Sequence, residues 1–291
     1  MDTGASWDLV SDLRQLLEFH FMQNALEAGT IVAVLCGLIG WFVVLRGQTY
    51  AGHALSQVGF PGAAGAVLVG IPPILGLLGF CAAAALGIGA LGTVAHGERR
   101  AESAGIGTIL AFALALGFLF ARLYKGFVDA AYAFLFGTFL GITDSQVVIL
   151  LITAVLAVAA LTVIARPLLF ASVEPDVAAA RGIPVRALST LFLLLMGLAV
   201  ASASMVTGTL LVFALLVTPA ATAQQLTTRP VAGIALSVAI ALLVTWLGLA
   251  VAYFSVYPVG FYVTSIAFGA YLLARAWRSV STMRRARPVP A

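Results

Sequence analysis

The chain has 291 residues, 62% of them hydrophobic and 9% charged, with a formal net charge of +4 and a mean hydropathy of +1.11. Soluble domains carry about 25% charged residues and about 45–50% apolar ones, so a soluble globular protein is excluded. The basic residues fall at the ends of apolar runs, where membrane topology accounts for them, and they make no case for nucleic acid.

Apolar runs near the length that crosses about 30 Å of hydrocarbon recur along the whole chain. They are continuous rather than alternating, which argues against a β-barrel. The expected fold is an all-α polytopic membrane protein with about 8–9 transmembrane helices.

Residues 1–28 carry Asp2, Asp8, Asp12, Glu18 and Glu27 against Arg14. That charge pattern is not the basic start of a signal peptide. Residues 7–27 read as an amphipathic helix lying at the interface, so 1–28 form an N-terminal interfacial segment. A transmembrane domain follows over residues 29–276, and a basic tail over 277–291 ends in RRARPVPA. The spans read 29–46, 51–70, 72–95, 104–121, 145–166, 187–205, 207–225, 231–253 and 258–275. That makes nine, or eight if one is re-entrant.

With the N-terminus outside, twelve arginines from Arg46 to Arg287 land inside, and Arg14, Arg122 and Lys125 land outside. The bias puts the C-terminal tail in the cytoplasm. A full crossing by 126–142 would weaken that inference. Cys36 and Cys81 lie in apolar runs and read as inert buried thiols. Gly62, Ala66 and Gly70 recur every four residues, as do Ala85 and Gly89, a spacing that lets helices approach closely in lipid.

AGHALSQVGFPG (51–62) concentrates polar side chains in a chain that otherwise avoids them. His53 and Gln57 stand four apart, on one helix face. With Ser56 they are candidates to line a translocation path, and His53 is the candidate metal contact. Pro61 and Gly62 are expected to break or kink the second span. Met205, Thr207 and Thr209 begin the seventh span, and Pro219, beside Thr218, interrupts it as a second candidate kink. Asp144 and Asp129 read first as solvated loop charges, with attraction of cations at the outer mouth as the alternative.

Residues 168–188 (LLFASVEPDVAAARGIPVRAL) form the longest polar interruption between spans. Glu174, Pro175 and Asp176 are a helix-start signal, and Gly182 after Arg181 is a stop. A short cytoplasmic helix follows, either an ordinary loop helix or a knob for a cytoplasmic partner. The one lysine, Lys125, lies outside any G-x-x-x-x-G-K-[ST] pattern, so the chain does not hydrolyse ATP through a P-loop. No Asp or Glu lies within a span to couple ions, and no catalytic triad or metalloprotease spacing occurs. The chain is not expected to be an enzyme.

Four segments together resemble the permease subunit of ABC importers of the zinc/manganese/iron type, the ABC-3 family. LCGLIGWFVVLRGQTYAGHALSQVGFPGAAG (35–65) resembles the family's first-helix and DALSHAVLPG region. YAFLFGTFLGIT (132–143) is similar to LFGDILG, and FASVEPDVAAARGIP (170–184) to the docking helix SFDPELAKALGI. ASASMVTGTLLVFALLVTPAATAQQL (201–226) is similar to KVVGVLLVSALLIIPAATARLL.

The resemblance implies two permease copies on two ATP-hydrolysing subunits, fed by an extracytoplasmic solute-binding protein, in the plasma membrane of a prokaryote. ATP would be used by the partner subunit, and no cofactor is expected on this chain. The coupling helix would be about 171–183, with Glu174, Pro175, Asp176, Arg181 and Gly182 facing the ATPase. The family's Asp and His of DALSHAVLPG fall on His53 and Gln57 here, while Ser56, Pro61 and Gly62 match. A neutral imidazole suits a divalent transition metal such as zinc or manganese, whereas a glutamine amide is a weak ligand. The solute stays open between such a metal and a neutral chelate or organic molecule, and an ATP-independent channel or carrier is a third reading.

Overall fold

The computed structural model describes residues 19–94, 99–123, 137, 141–255 and 257–285. Among them the chain is helical throughout. In order the helices are α1 (His20–Leu45), α2 (Thr49–Val69), α3 (Pro73–Val94), α4 (Arg99–Leu123), α5 (Asp144–Val173), α6 (Pro175–Ala180), α7 (Val185–Leu226), α8 (Pro230–Tyr253) and α9 (Val259–Arg285). Helices are what an apolar solvent permits, because each backbone group is satisfied within its own segment. Among the described residues seven segments are long and apolar enough to cross a membrane: α1, Pro73–Leu91, Ser103–Leu123, α5, Val185–Thr209, α8 and Val259–Ser281.

The 42 residues of α7 are two helices in one. Gly208 has φ 76° and ψ 159°, a conformation essentially confined to glycine. A Cβ on Gly52 would meet Leu216 at 3.2 Å and Met196 at 3.5 Å. A straight helix would hold residues twenty positions apart about 30 Å from each other. The chain therefore folds back at Gly208 into two antiparallel arms, Val185–Thr209 and Leu211–Leu226. This agrees with the two spans expected at 187–205 and 207–225, the second of which is a short half-helix.

The arms of α7 form the centre, and α1, α2, α3, α5, α8 and α9 all pack on them. Phe192, Met196, Leu215 and Leu216 of α7 are fully buried, as are Leu35, Ile39 and Leu55 of the helices around it. Small residues set the crossings. A Cβ on Gly40 would lie 1.8 Å from the Leu216 carbonyl oxygen. A Cβ on Gly62 would lie 2.4 Å from the Gly76 oxygen, and one on Gly76 would lie 2.0 Å from the Gly62 oxygen. These backbones touch directly, as small residues allow in lipid. The expected role of Gly62 is thus revised: it seats α2 on α3, and the helix runs on unbroken past Pro61 to Val69.

Polar ties lock the two ends of the bundle. At one end Arg46 donates to Ser172 Oγ (3.0 Å) and Ser189 Oγ (2.6 Å), with its guanidinium 5.6 Å from the Phe192 ring centroid. The same end holds the Gln224 amide, which donates to the Trp41 carbonyl, and Arg278, which donates to Gln225. At the opposite end Asn24, only 8% exposed, donates to the Ile142 carbonyl (3.1 Å) and Asp144 Oδ1 (2.6 Å). His20 Nε2 lies 3.5 Å from the same Asp144 oxygen.

The first span starts earlier than residue 29. Residues 20–28 belong to α1, because Met22, Ala25 and Ala28 are buried and Asn24 is tied to the start of α5. Only residues 1–18 of the expected interfacial segment lie outside the described residues, as do Asp129, Lys125 and most of 126–142.

Candidate translocation site

α2 carries His53, Ser56 and Gln57, and its surroundings explain which of these side chains are available. Ala51, Ala54, Leu55 and Val58 bury against α3 and α7. His53 and Gln57 share the remaining face one turn apart, both half-buried. Ser56 does not join them. It is fully buried, and its hydroxyl donates to the His53 carbonyl at 2.7 Å, a bond within the helix. Pro61 has no N–H to return to the Gln57 carbonyl, so that acceptor is released on the turn that carries the Gln57 amide. No hydrogen bond to the Gln57 side chain occurs among the described residues.

His53 Nδ1 is buried without a hydrogen-bond partner. A buried polar nitrogen with no partner is costly unless something else supplies one. The imidazole is held instead by an aromatic ring: Phe213, on the returning arm of α7, meets it edge-on with centroids 4.8 Å apart and planes at 67°. Phe213 stands five residues after the Gly208 break and six before Pro219, inside the short arm. Nothing in the sequence separated it from the other seventeen phenylalanines, because its importance lies in a fold-back made by a single glycine.

The other sequence candidates scatter. Met205 is half-buried, while Thr207 and Thr209 are buried beside the fold-back. The hydroxyls of Thr209 and Ser204 are also buried without partners. Pro219 is buried in the short arm, which stays helical through it. Among the described residues no three His, Cys, Asp or Glu side chains converge to hold a metal ion. The open face of α2 carries one imidazole and one amide, too few ligands to hold a metal ion tightly.

At the Arg46 end, α6 lies exposed across the ends of α5 and α7, with Glu174, Pro175, Asp176, Arg181 and Gly182 all facing outward. Its geometry follows the sequence signals closely. Pro175 opens it, and Gly182 at φ 80° closes it: the Ile183 N–H bonds the Ala178 carbonyl and the Gly182 N–H bonds that of Ala179. This is the paired C-terminal bonding that favours glycine. Arg181 stacks over the Phe170 ring at 5.7 Å and fixes α6 to the end of α5.

The model of the ABC 3 transport family matches residues 18–278. The chain belongs to this family. Among relatives, the manganese transport system membrane protein MntC of Listeria innocua is 35% identical over 75% of this chain and 76% of its own. MntC of Halalkalibacterium halodurans is 34% identical over 74% of this chain and 73% of its own. The manganese import system permease protein ScaB of Streptococcus gordonii is 32% identical over 72% and 74%.

Among solved structures, PsaBC from Streptococcus pneumoniae in complex with Fab superposes with a TM-score of 0.81. It is 28% identical and covers 91% of this chain and 95% of that one. The family membership makes this chain a multi-span permease-type subunit, and the transmembrane reading of its helices follows from that.

Proposed function

We propose that the chain is the membrane-spanning permease subunit of an ATP-binding-cassette importer that carries a divalent transition metal. Manganese is the first candidate, and zinc the second. The observation that carries the reading is the family match over residues 18–278, joined by the manganese systems to which the named relatives belong. The chain supplies the path, with His53 and Gln57 as its contacts in mid-bundle and the short arm of α7 behind them.

Two copies assemble on two ATP-binding subunits, and an extracytoplasmic binding protein delivers the solute. No cofactor resides on this chain, and ATP is used by the partner. The protein sits in the plasma membrane of a prokaryote. Arg46, Arg181, Arg186, Arg229 and Arg278 all lie at the α6 end, so the positive-inside bias makes that end, and with it the C-terminus, cytoplasmic. Residues 29–276 form the permease domain and 277–291 its cytoplasmic tail. The α6 helix, with Glu174, Pro175, Asp176, Arg181 and Gly182, docks on the ATPase.

Glu174→Arg in the assembled complex tests the docking role. Glu174 is exposed at the α5–α6 junction, so the bundle tolerates the change. Transport and its coupling to ATP hydrolysis should fall while the amount of folded permease stays constant. Solute movement by the permease alone, indifferent to Glu174→Arg and to ATP, would instead identify an ATP-independent carrier.

A further inference from the structure

Away from the α2 face, the Arg46 end of the bundle contains a cavity. It has a volume of about 420 Å³ and lies between the end of α7, the turn into α8 and the last turns of α9. Arg229 and Arg278 enter it from different elements, with Thr227, Thr228, Gln225 and Ser281 between them, and among the described residues no carboxylate lines it. Its walls are fixed. Arg278 donates to Gln225 Oε1 at 2.9 Å, the Arg229 N–H donates to Thr227 Oγ1 at 3.2 Å, and the neighbouring Gln224 is tied to the Trp41 carbonyl.

Two guanidinium groups with hydroxyls between them match the oxygens of a phosphate, which arginine binds with directional paired N–H donors. The cavity also borders hydrocarbon. Trp277 is 72% exposed beside Arg278, Leu273 one turn earlier is 74% exposed, and Val231 just past Arg229 is 82% exposed. A tryptophan and arginines at the end of an apolar helix mark the level of lipid headgroups.

We propose that this cavity binds the phosphate of an anionic phospholipid, whose acyl chains run back along Leu273 and Trp277 of α9. The lipid bridges α7, α8 and α9 at the end where the short arm of α7 terminates.

The test uses the full chain in neutral detergent, with thermal unfolding measured in the presence of phosphatidylglycerol, phosphatidylcholine or inorganic phosphate, and retained lipid read by native mass spectrometry. Phosphatidylglycerol should raise the unfolding midpoint and remain bound. Phosphatidylcholine and inorganic phosphate at equal concentration should not. The shift and the retained lipid should be lost in R229Q/R278Q and kept in R166Q, which removes an exposed arginine of α5 away from the cavity.

R229K/R278K, which keeps the charge, should recover part of the shift if the glutamine pair proves less stable without lipid. Three results would overturn the proposal. They are an undiminished shift in R229Q/R278Q, an equal effect of phosphatidylcholine, and a full effect of inorganic phosphate alone.

Discussion

Single atoms set the closest approaches in this bundle. The carbonyl of Leu216 rests where a side chain on Gly40 would begin, and the carbonyls of Gly62 and Gly76 occupy each other's Cβ positions. Gly40→Ala or Gly62→Ala must push two backbones apart, an overpacking cost of about 1–3 kcal/mol. Gly79→Ala places its methyl in open space and should be neutral. Thermal unfolding in detergent separates the three, and equal midpoints would remove the argument that glycines set these crossings.

The residues named from sequence in AGHALSQVGFPG divide on the same scale. His53 and Gln57 do share a partly open face, as their spacing of four implied. Ser56 is turned inward and spent on a backbone carbonyl. Spacing assigns a face but does not say which neighbouring helix covers it. For the same reason Phe213 behind His53, and Arg46 joining three helices, were beyond the reach of sequence reading.

Among elements, α7 carries the most structural consequence. Its apolar run reads in the sequence as two consecutive spans. The structure makes them antiparallel arms through one glycine whose conformation other residues avoid. Gly208→Ala should cost about 1–3 kcal/mol in backbone strain. It should also displace the short arm, and with it the edge-on contact between Phe213 and His53. Loss of transport with folded protein still recoverable is the expected result, and unaltered transport would show that the fold-back tolerates a side chain.

The short helix α6 was legible almost to the residue. Its signals are local: acids and a proline at its start, and a positive-φ glycine at its end. The start of α1 was misplaced by nine residues. What extends that helix is long-range, namely the pairing of Asn24 with Ile142 and Asp144, which no local pattern encodes.

At the scale of the whole molecule, composition established the membrane class, and the recurrence of apolar runs gave the order of the helices that the described residues form. Their arrangement around a central hairpin required the structure. The bundle has two distinct ends, one gathering Arg46, α6 and the phosphate-sized cavity, the other closed by the Gly208 turn and the Asn24–Asp144 tie. The half-buried imidazole and amide of α2 lie between those ends.

We propose an ATP-driven path for a transition metal past His53. The most direct measurement is uptake of manganese, then zinc, into vesicles containing the permease, its ATP-binding subunit and its binding protein, with His53→Ala alongside the native chain. ATP-dependent uptake of manganese is expected, largely lost in His53→Ala, while ATP hydrolysis by the complex persists. Active ATP hydrolysis with no uptake of either metal would contradict the assigned solute, and full uptake by His53→Ala would contradict the assigned path.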